Sequence, residues 1–440
     1  MNDNHSKDIL RLALPIVATN ILSRGPAIVD TAFIGHIGPA QLASVGLAQL
    51  FVFAMQAFTH ATAVAGTVMV AFRTGEKDFV KRREEADTDF SIAIMIGILL
   101  SFIGYNFSGA MGDAMGVEGA VHKHLLEYTD IFFFFFTLKL LNFFLASIFQ
   151  GSGDSRTPLA VIGSINIMNI FLDYSLIFGK FGLPRMEVEG AALATGIAES
   201  TGAIVLYIIA IKRGLLSPRL ALPKMEPAKK LARLGLPVLG ERLVGITMQF
   251  VFARMVIAIS VIAYGAHQMG INIEMVSLLS GFAFMQATTA LVGQNLGARD
   301  PDRARIMAKK ASYITVGIMM VFAIILISFP EFWVRIFTDD PEVIKYGKRF
   351  LIYGCIAQPL LGISMVYAGA LRGAGETKYV MWVSMLGSWA TRIPIAYLLG
   401  FVFNFGLDGL WATMPMDWIV RLSFYYRRFT RGPLDPEKAN

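Results

Sequence analysis

Cysteine is almost absent from this 440-residue chain: Cys355 stands alone, inside an apolar segment. A disulfide framework is excluded, and a thiolate metal site is not indicated. Charge is scarce too, at 16% of residues, where soluble domains carry about 25%. No G-x-x-x-x-G-K-[ST] loop, no H-E-x-x-H and no cluster of His or Cys ligands occurs. Nucleotide hydrolysis and metalloenzyme chemistry are therefore not expected, and neither is a cofactor. The chain is expected not to be an enzyme, so work must be drawn from an ion gradient or from the substrate's own. The N-terminal M-N-D-N-H-S-K-D has no basic n-region or cleavage site. No signal peptide is expected, and the first apolar span should itself direct the chain to a membrane.

What is plentiful is apolar sequence, at 55% of residues with a mean hydropathy of +0.58. Twelve stretches approach the about 20 residues a bilayer-crossing helix needs. Their cores lie near 12–37, 44–72, 90–111, 124–149, 158–180, 189–211, 233–259, 267–294, 312–337, 350–371, 379–401 and 408–427. The expected fold is an all-α polytopic membrane protein with twelve transmembrane helices. The net charge of +7 does not call for nucleic acid, because the basic residues sit between the spans. Twenty lie after even-numbered helices, among them Arg73, Arg82, Arg213, Lys230, Arg303 and Lys310; six lie on the opposite side, such as Lys123 and Arg185. The positive-inside rule then puts both termini in the cytoplasm, in a multi-pass protein of the plasma membrane.

The chain is duplicated. L-A-L-P-I-V at 12–17 matches L-G-L-P-V-L at 234–239, R-T-G-E-K-D at 73–78 matches N-L-G-A-R-D at 295–300, and G-S-G-D-S at 151–155 matches G-A-G-E-T at 373–377, all offset by 222 residues. Two pseudo-symmetric six-helix bundles follow: an N-terminal lobe over 1–211, a basic linker over 212–232 and a C-terminal lobe over 233–440. An even helix number per half makes them parallel repeats, an arrangement of transporters that alternately open a central site.

Polar residues break that symmetry. Asp30 corresponds to Phe252, Asn169 to Thr391 and Asp173 to Ile395. Asn169 and Asp173, four residues apart in S-I-N-I-M-N-I-F-L-D-Y-S-L-I-F (164–178), share one helical face. A carboxylate in hydrocarbon is costly and marks an ion or substrate path. Such a site can coordinate Na⁺ through oxygen or share one proton between its acids, and Asn166 and Thr195 offer further oxygens. In the other half Glu274 has no cation beside it in sequence; it can attract a cationic substrate, carry a proton, or pair with Arg254 or Arg392. Glu241 and Arg242 are expected at the interface. Pro15 and Pro26 lie within the first helix, where proline permits a kink. The run I-F-F-F-F-F-T at 131–137 is expected to face lipid.

The chain resembles the multidrug and toxic compound extrusion (MATE) family. L-P-I-V-A-T-N-I-L through V-D-T-A-F-I-G-H-I-G (14–38), Q-G-S-G-D-S-R-T-P (150–158), E-G-A-A-L-A-T (189–195), V-G-Q-N-L-G-A-R-D-P-D-R-A (292–304) and R-G-A-G-E-T-K (372–378) carry the resemblance. It implies an antiporter that exports organic cations and amphipathic drugs in exchange for H⁺ or Na⁺. Its cation site would comprise Asp30, Asn169 and Asp173, with Thr195 beside them; the first three would bind Na⁺ if sodium is the coupling ion. Glu274, Asn166, Gln49 and Met275 are candidate substrate contacts. A branch of the family uses acids in the seventh and tenth helices instead, but the tenth helix here has none. Pro26 departs from the residue types that often precede the first-helix acid. Alternatives are a lipid-linked oligosaccharide flippase of the same superfamily, which should have a more cationic cavity, and a sensor or channel. A monomer is expected, because two halves suffice to enclose a cavity.

Overall fold

Within hydrocarbon a backbone must satisfy its own N–H and C=O groups, which leaves helices or a closed barrel. The computed structural model, which describes residues 4–432 and Leu434, takes the helical solution; there is no strand among the described residues. In chain order the helices are α1 (Asn4–Leu22), α2 (Gly25–Gly35), α3 (Pro39–Glu76), α4 (Phe79–Ala114), α5 (Gly119–Gly151), α6 (Arg156–Phe178) and α7 (Glu187–Lys212). Then follow α8 (Met225–Ile259), α9 (Val261–Gly297), α10 (Pro301–Ser328), α11 (Pro330–Arg335), α12 (Pro341–Gly373), α13 (Thr377–Met385), α14 (Ile393–Tyr397) and α15 (Gly406–Arg431). A π-helical stretch, Leu386–Arg392, joins α13 to α14, and a second, Leu398–Val402, continues α14, so that 377–402 forms one rod. Among the described residues eleven rods are long and apolar enough to cross a membrane, with α1 and α2 counted together. The twelfth is the more polar α15, whose Asp417 and Arg421 pair with each other at 2.6 Å. The chain is an all-helical, multi-pass membrane protein with the expected twelve spans.

Several spans are longer than their apolar cores. The 36 residues of α4 cover about 54 Å at 1.5 Å per residue, well beyond a hydrocarbon core of about 30 Å. Lys81, Arg82 and Arg83, expected in a loop, therefore lie in the first turns of α4, and Lys309 and Lys310 lie inside α10. The start signals were polar: Asp300 accepts from the Arg303 amide at 2.9 Å, with Pro301 opening the helix. The ninth expected helix, 312–337, is broken. It stops at Ser328 and restarts as α11 at Pro330, because proline disfavours helix at the residue before it and supplies no N–H.

The chain divides into two compact units, Ala18–Gly235 and Met1–Val17 with Leu236–Asn440. In the first, α5 runs through the core. Phe132, Phe133 and Phe136 are buried there and only Phe134 of that run is widely exposed. The expectation that 131–137 faces lipid is thus corrected: three rings point inward because α3, α4 and α7 surround α5. The linker is not a slack tether. The Gly214 carbonyl accepts from Arg83, Ser217 donates its amide and hydroxyl to Asp87 at 2.8 and 2.5 Å, and Lys230 reaches Glu85 at 3.2 Å. It is stitched along the polar first turns of α4. In the second unit Ile9, Leu12, Ala13 and Ile16 of α1 pack with Phe284, Met307 and Val366.

The duplication recurs as matched geometry. Lys77 and Arg299, 222 residues apart, both end a helix in the left-handed region, with φ of 61° and 58°. Asp78 and Asp300 follow them, each accepting from the amide three residues on. Thr67 donates to the Ser147 carbonyl at 3.2 Å, and Thr289 to that of Gly369 at 3.0 Å. The loop acids Asp154 and Glu376 pair with Arg213 and Arg428 at the ends of α7 and α15. Glycine is required at both close approaches: a Cβ on Gly151 would lie 2.8 Å from the Thr67 carbonyl oxygen, and one on Gly373 would run into that of Thr289.

Gly373→Ala should therefore lower the apparent melting temperature in detergent by several degrees, a cost of about 1–3 kcal/mol. Gly317→Ala, where a Cβ meets nothing within 4 Å, should not. A second expectation concerns pH. Burial alone would push the Asp154 carboxyl up, but the Thr157 hydroxyl and amide, Arg213 and the Arg156 amide together hold it below its ordinary value. Its stabilisation is then present at neutral pH and lost on acidification. Asp154→Asn should melt earlier than wild type at pH 7, and the gap should close below about pH 4.

Candidate cation site

Three helices of the Ala18–Gly235 unit bring the sequence-predicted acids together. The first span bends at Ser23–Arg24, and α2 restarts at Gly25 with Pro26 at its head. Ser23 donates its hydroxyl to the Thr19 carbonyl at 2.8 Å. Asn166 of α6 donates to the freed Leu22 carbonyl at 2.6 Å. Its amide thus serves the helix break rather than lying open to a ligand. The break lies within two turns of Asp30, and α2 packs along α6. On the other side α7 comes close through small residues: a Cβ on Gly190 would sit 2.8 Å from the Leu176 backbone.

The result is a closed polar core. Asp30, Asn169 and Asp173 are 3%, 1% and 0% exposed. Asn169 donates its amide to the Thr195 hydroxyl at 3.3 Å, and that hydroxyl donates to an Asp30 oxygen at 3.4 Å. The Asp30 and Asp173 carboxyls lie close enough to act on each other electrostatically. Four oxygens here have no hydrogen-bond partner among the described residues: Oδ1 of Asp30, Oδ1 of Asn169 and both of Asp173. Buried polar atoms are almost always satisfied, and two adjoining carboxylates cannot both stay ionised without a positive charge between them. The donor set, all oxygen and doubly acidic, fits a proton or a hard monovalent cation.

Two neighbours were missed in the sequence. Lys139 of α5 acts electrostatically on Asp30, its ammonium 5.4 Å from the Phe132 ring centre. Glu199 of α7 accepts from Asn142 at 2.5 Å. Both line a narrow cleft with Tyr128, Phe132, Phe135 and Thr195. The only signal was a single charge within an apolar run, T-L-K-L-L-N and G-I-A-E-S-T.

The other candidates lie elsewhere. Gln49 is half-buried on α3 of the same unit. Glu274, buried, and half-buried Met275 belong to α9 in the other unit. Among the described residues neither Arg254 nor Arg392 comes within ion-pair distance of Glu274, and Arg254 is exposed. Glu241 accepts from Arg372 at 2.7 Å and from the Ser384 hydroxyl at 2.8 Å.

Similarity to known proteins agrees with this architecture. The MatE family pattern matches twice, over residues 15–175 and 237–398, the two halves of the duplication. The chain is 31% identical over 432 residues to a probable multidrug resistance protein NorM of Thermotoga maritima, covering 97% of this chain and 92% of that one. It is 25% identical over 410 residues to an uncharacterized transporter, YisQ, of Bacillus subtilis, covering 91% and 89%. Its fold matches a mutant of the Vibrio cholerae MATE transporter VcmN with a TM-score of 0.91 at 18% identity, over 98% of both chains. A MOP superfamily transporter from Pyrococcus furiosus, described as having a binding pocket of reverse polarity, matches at 0.88 and 19%, over 97% and 96%. The chain belongs to the MatE family and is a MATE-type membrane transporter.

Proposed function

We propose that this protein is a secondary active antiporter that exports cationic or amphipathic organic compounds in exchange for H⁺ or Na⁺. The observation that carries the proposal is the buried Asp30/Asp173 pair with its unpartnered oxygens. The multidrug resistance names of several relatives, including NorM and MdtK proteins, support the substrate class. Both termini are taken to lie in the cytoplasm and the membrane to be the plasma membrane, from the distribution of Lys and Arg.

The chemistry follows from charge. Without a cation the two carboxyls repel, strongly so in a poorly screened interior. A proton or Na⁺ between them cancels that repulsion and draws α2, bearing Asp30, toward α6. Because α2 is uncoupled from α1 by the break at Ser23–Arg24, it can shift without moving the whole first span. Cation loading thereby biases one conformation over another, and a ligand can shift an equilibrium only by such differential affinity. An organic cation attracted by the ionised pair competes with the coupling cation for the same negative charge, so the two exchange. Thr195 positions Asp30 and lends an oxygen.

Ethidium flux in proteoliposomes tests this, with proton and sodium gradients imposed separately. Asp30→Asn and Asp173→Asn should each reduce flux by about tenfold or more, as expected for an intramembrane coupling acid, with insertion intact. Thr195→Val, losing one hydroxyl worth about 1 kcal/mol, should weaken the apparent affinity for the effective ion about fivefold. Full activity in both acid variants would remove this site from the mechanism. No flux in the wild type under either gradient would favour a lipid-linked oligosaccharide flippase.

A further inference from the structure

The linker does not simply run beside α4; it dips along it and returns. The helix begins polar and turns apolar at Phe90, where its bilayer-crossing stretch starts. Successive linker residues bond to successively deeper positions on it. The Gly214 carbonyl accepts from Arg83 at 3.3 Å, Ser217 donates its amide to Asp87 at 2.8 Å, and the Ala221 carbonyl accepts from the Ser91 hydroxyl at 2.7 Å. The chain then retreats: the Lys224 amide donates to Thr88 at 3.4 Å, and Lys230 pairs with Glu85 at 3.2 Å. From residue 83 to residue 91 is about 12 Å along a helix. The tip around Ala221 therefore stands level with the first apolar turn of α4.

At that tip the apolar side chains stand outward. Leu220 is 65% exposed and Leu222 89% exposed. Pro218 and Pro223 bracket the two leucines, and this stretch lies outside any helix; proline fixes φ and keeps a helix from forming across it. Large apolar side chains grouped on a surface mark contact with something apolar. Charge is sorted in the same sense. The stretch 212–233 holds seven basic residues and one acid, Glu226. The α4 acids beneath it, Glu85, Asp87 and Asp89, are buried, whereas Arg219 and Lys229 are exposed. Lys224 keeps an exposed ion pair with Glu84 at 2.8 Å, a contact that water screens to little net worth. The tip thus presents leucines flanked by cations at the depth where α4 becomes apolar.

We propose that the linker tip is a lipid anchor: Leu220 and Leu222 enter the boundary between headgroups and acyl chains, and Arg219 beside them binds the phosphate of an anionic phospholipid. Irregular backbone is excluded from lipid-exposed hydrocarbon, so the tip stops at that boundary and only the leucine side chains go deeper. Apolar side chains with basic neighbours attach to a membrane surface by burying the former and neutralising anionic lipid with the latter. The planar guanidinium of Arg219 suits a phosphate, to which it can donate two parallel hydrogen bonds. The bonds to Arg83, Asp87 and Ser91 hold the tip at a fixed depth before any lipid arrives, which lowers the ordering cost of binding. All of these residues lie within the Ala18–Gly235 unit, and the inference does not depend on the antiport reading.

The test attaches a fluorophore to Leu222→Cys in the full-length protein in lipid nanodiscs, the native Cys355 being buried. It is quenched in turn by phosphatidylglycerol brominated on the upper acyl chain, by phosphatidylcholine brominated likewise, and by aqueous iodide. Both lipids should quench, with phosphatidylglycerol preferred, and iodide should quench weakly. Arg219→Gln should lower the preference for phosphatidylglycerol about fivefold, as for the loss of one cation at an anionic surface, while phosphatidylcholine still quenches. Leu220→Cys gives the same reading from the other leucine if the first label disturbs the tip. Quenching by iodide and by neither lipid would put the tip in water, and quenching by none of the three would show it covered by protein, a second copy included. Either outcome overturns the proposal, as does a lipid preference that Arg219→Gln leaves unchanged. Failure of ethidium flux in the wild type would sink the antiport reading alone, since this measurement needs no transport.

Discussion

Two carboxyl groups side by side in an interior without water cannot both hold a negative charge unless something positive lies between them. The Ala18–Gly235 unit is built around that constraint. The break in the first span lies within two turns of Asp30, and Asn166 satisfies the carbonyl the break exposes. The small residues of α7 bring Thr195 within reach of both Asn169 and Asp30. What remains is a set of buried oxygens without hydrogen-bond partners among the described residues, a donor set that fits a proton or a hard monovalent cation.

The two halves share their scaffold and differ in their chemistry. The matched positions perform backbone tasks: a left-handed residue closing a helix at Lys77 and Arg299, an aspartate receiving the next helix's amide, and a glycine where two helices cross. These demands come from geometry and fall equally on both halves. Asp30, Asp173 and Glu274 have no counterparts, because a charge in the membrane is tolerated only where it has work to do. Phe252 and Arg392 show how far the halves have diverged, with an aromatic ring and a tethered cation at positions equivalent to acids and their neighbours.

Where the structure departs from expectation, a neighbour decided the outcome. The phenylalanine run at 131–137 looks the same in sequence whether it meets lipid or other helices, since both are apolar; only the placement of α5 among α3, α4 and α7 buries Phe132, Phe133 and Phe136. The basic residues after the second and eighth spans lie in projecting helical turns, because helices continue past the hydrocarbon while their caps and hydrogen bonds hold. The linker was legible only as a basic, proline-containing joint between the halves. It is fastened to α4 by partners some 130 residues away in sequence, such as Asp87 with Ser217. Lys139 and Glu199 passed unnoticed because single charges in apolar runs do not reveal what they face.

The sequence by itself determined the class of protein, the number of spans, the duplication and its spacing, and the identity of Asp30, Asn169, Asp173 and Thr195 as one candidate site. Hydropathy, a repeated offset and the cost of charge in hydrocarbon are local properties, legible without knowing what touches what. Only the tertiary structure decided that Asn166 serves a helix break, that Glu241 is tied to Arg372 and Ser384, and that Glu274 lies buried in the seam between α9 and α12. Those outcomes depend on which faces of distant helices meet, and pairwise contact across long loops leaves no mark on a chain read one residue at a time.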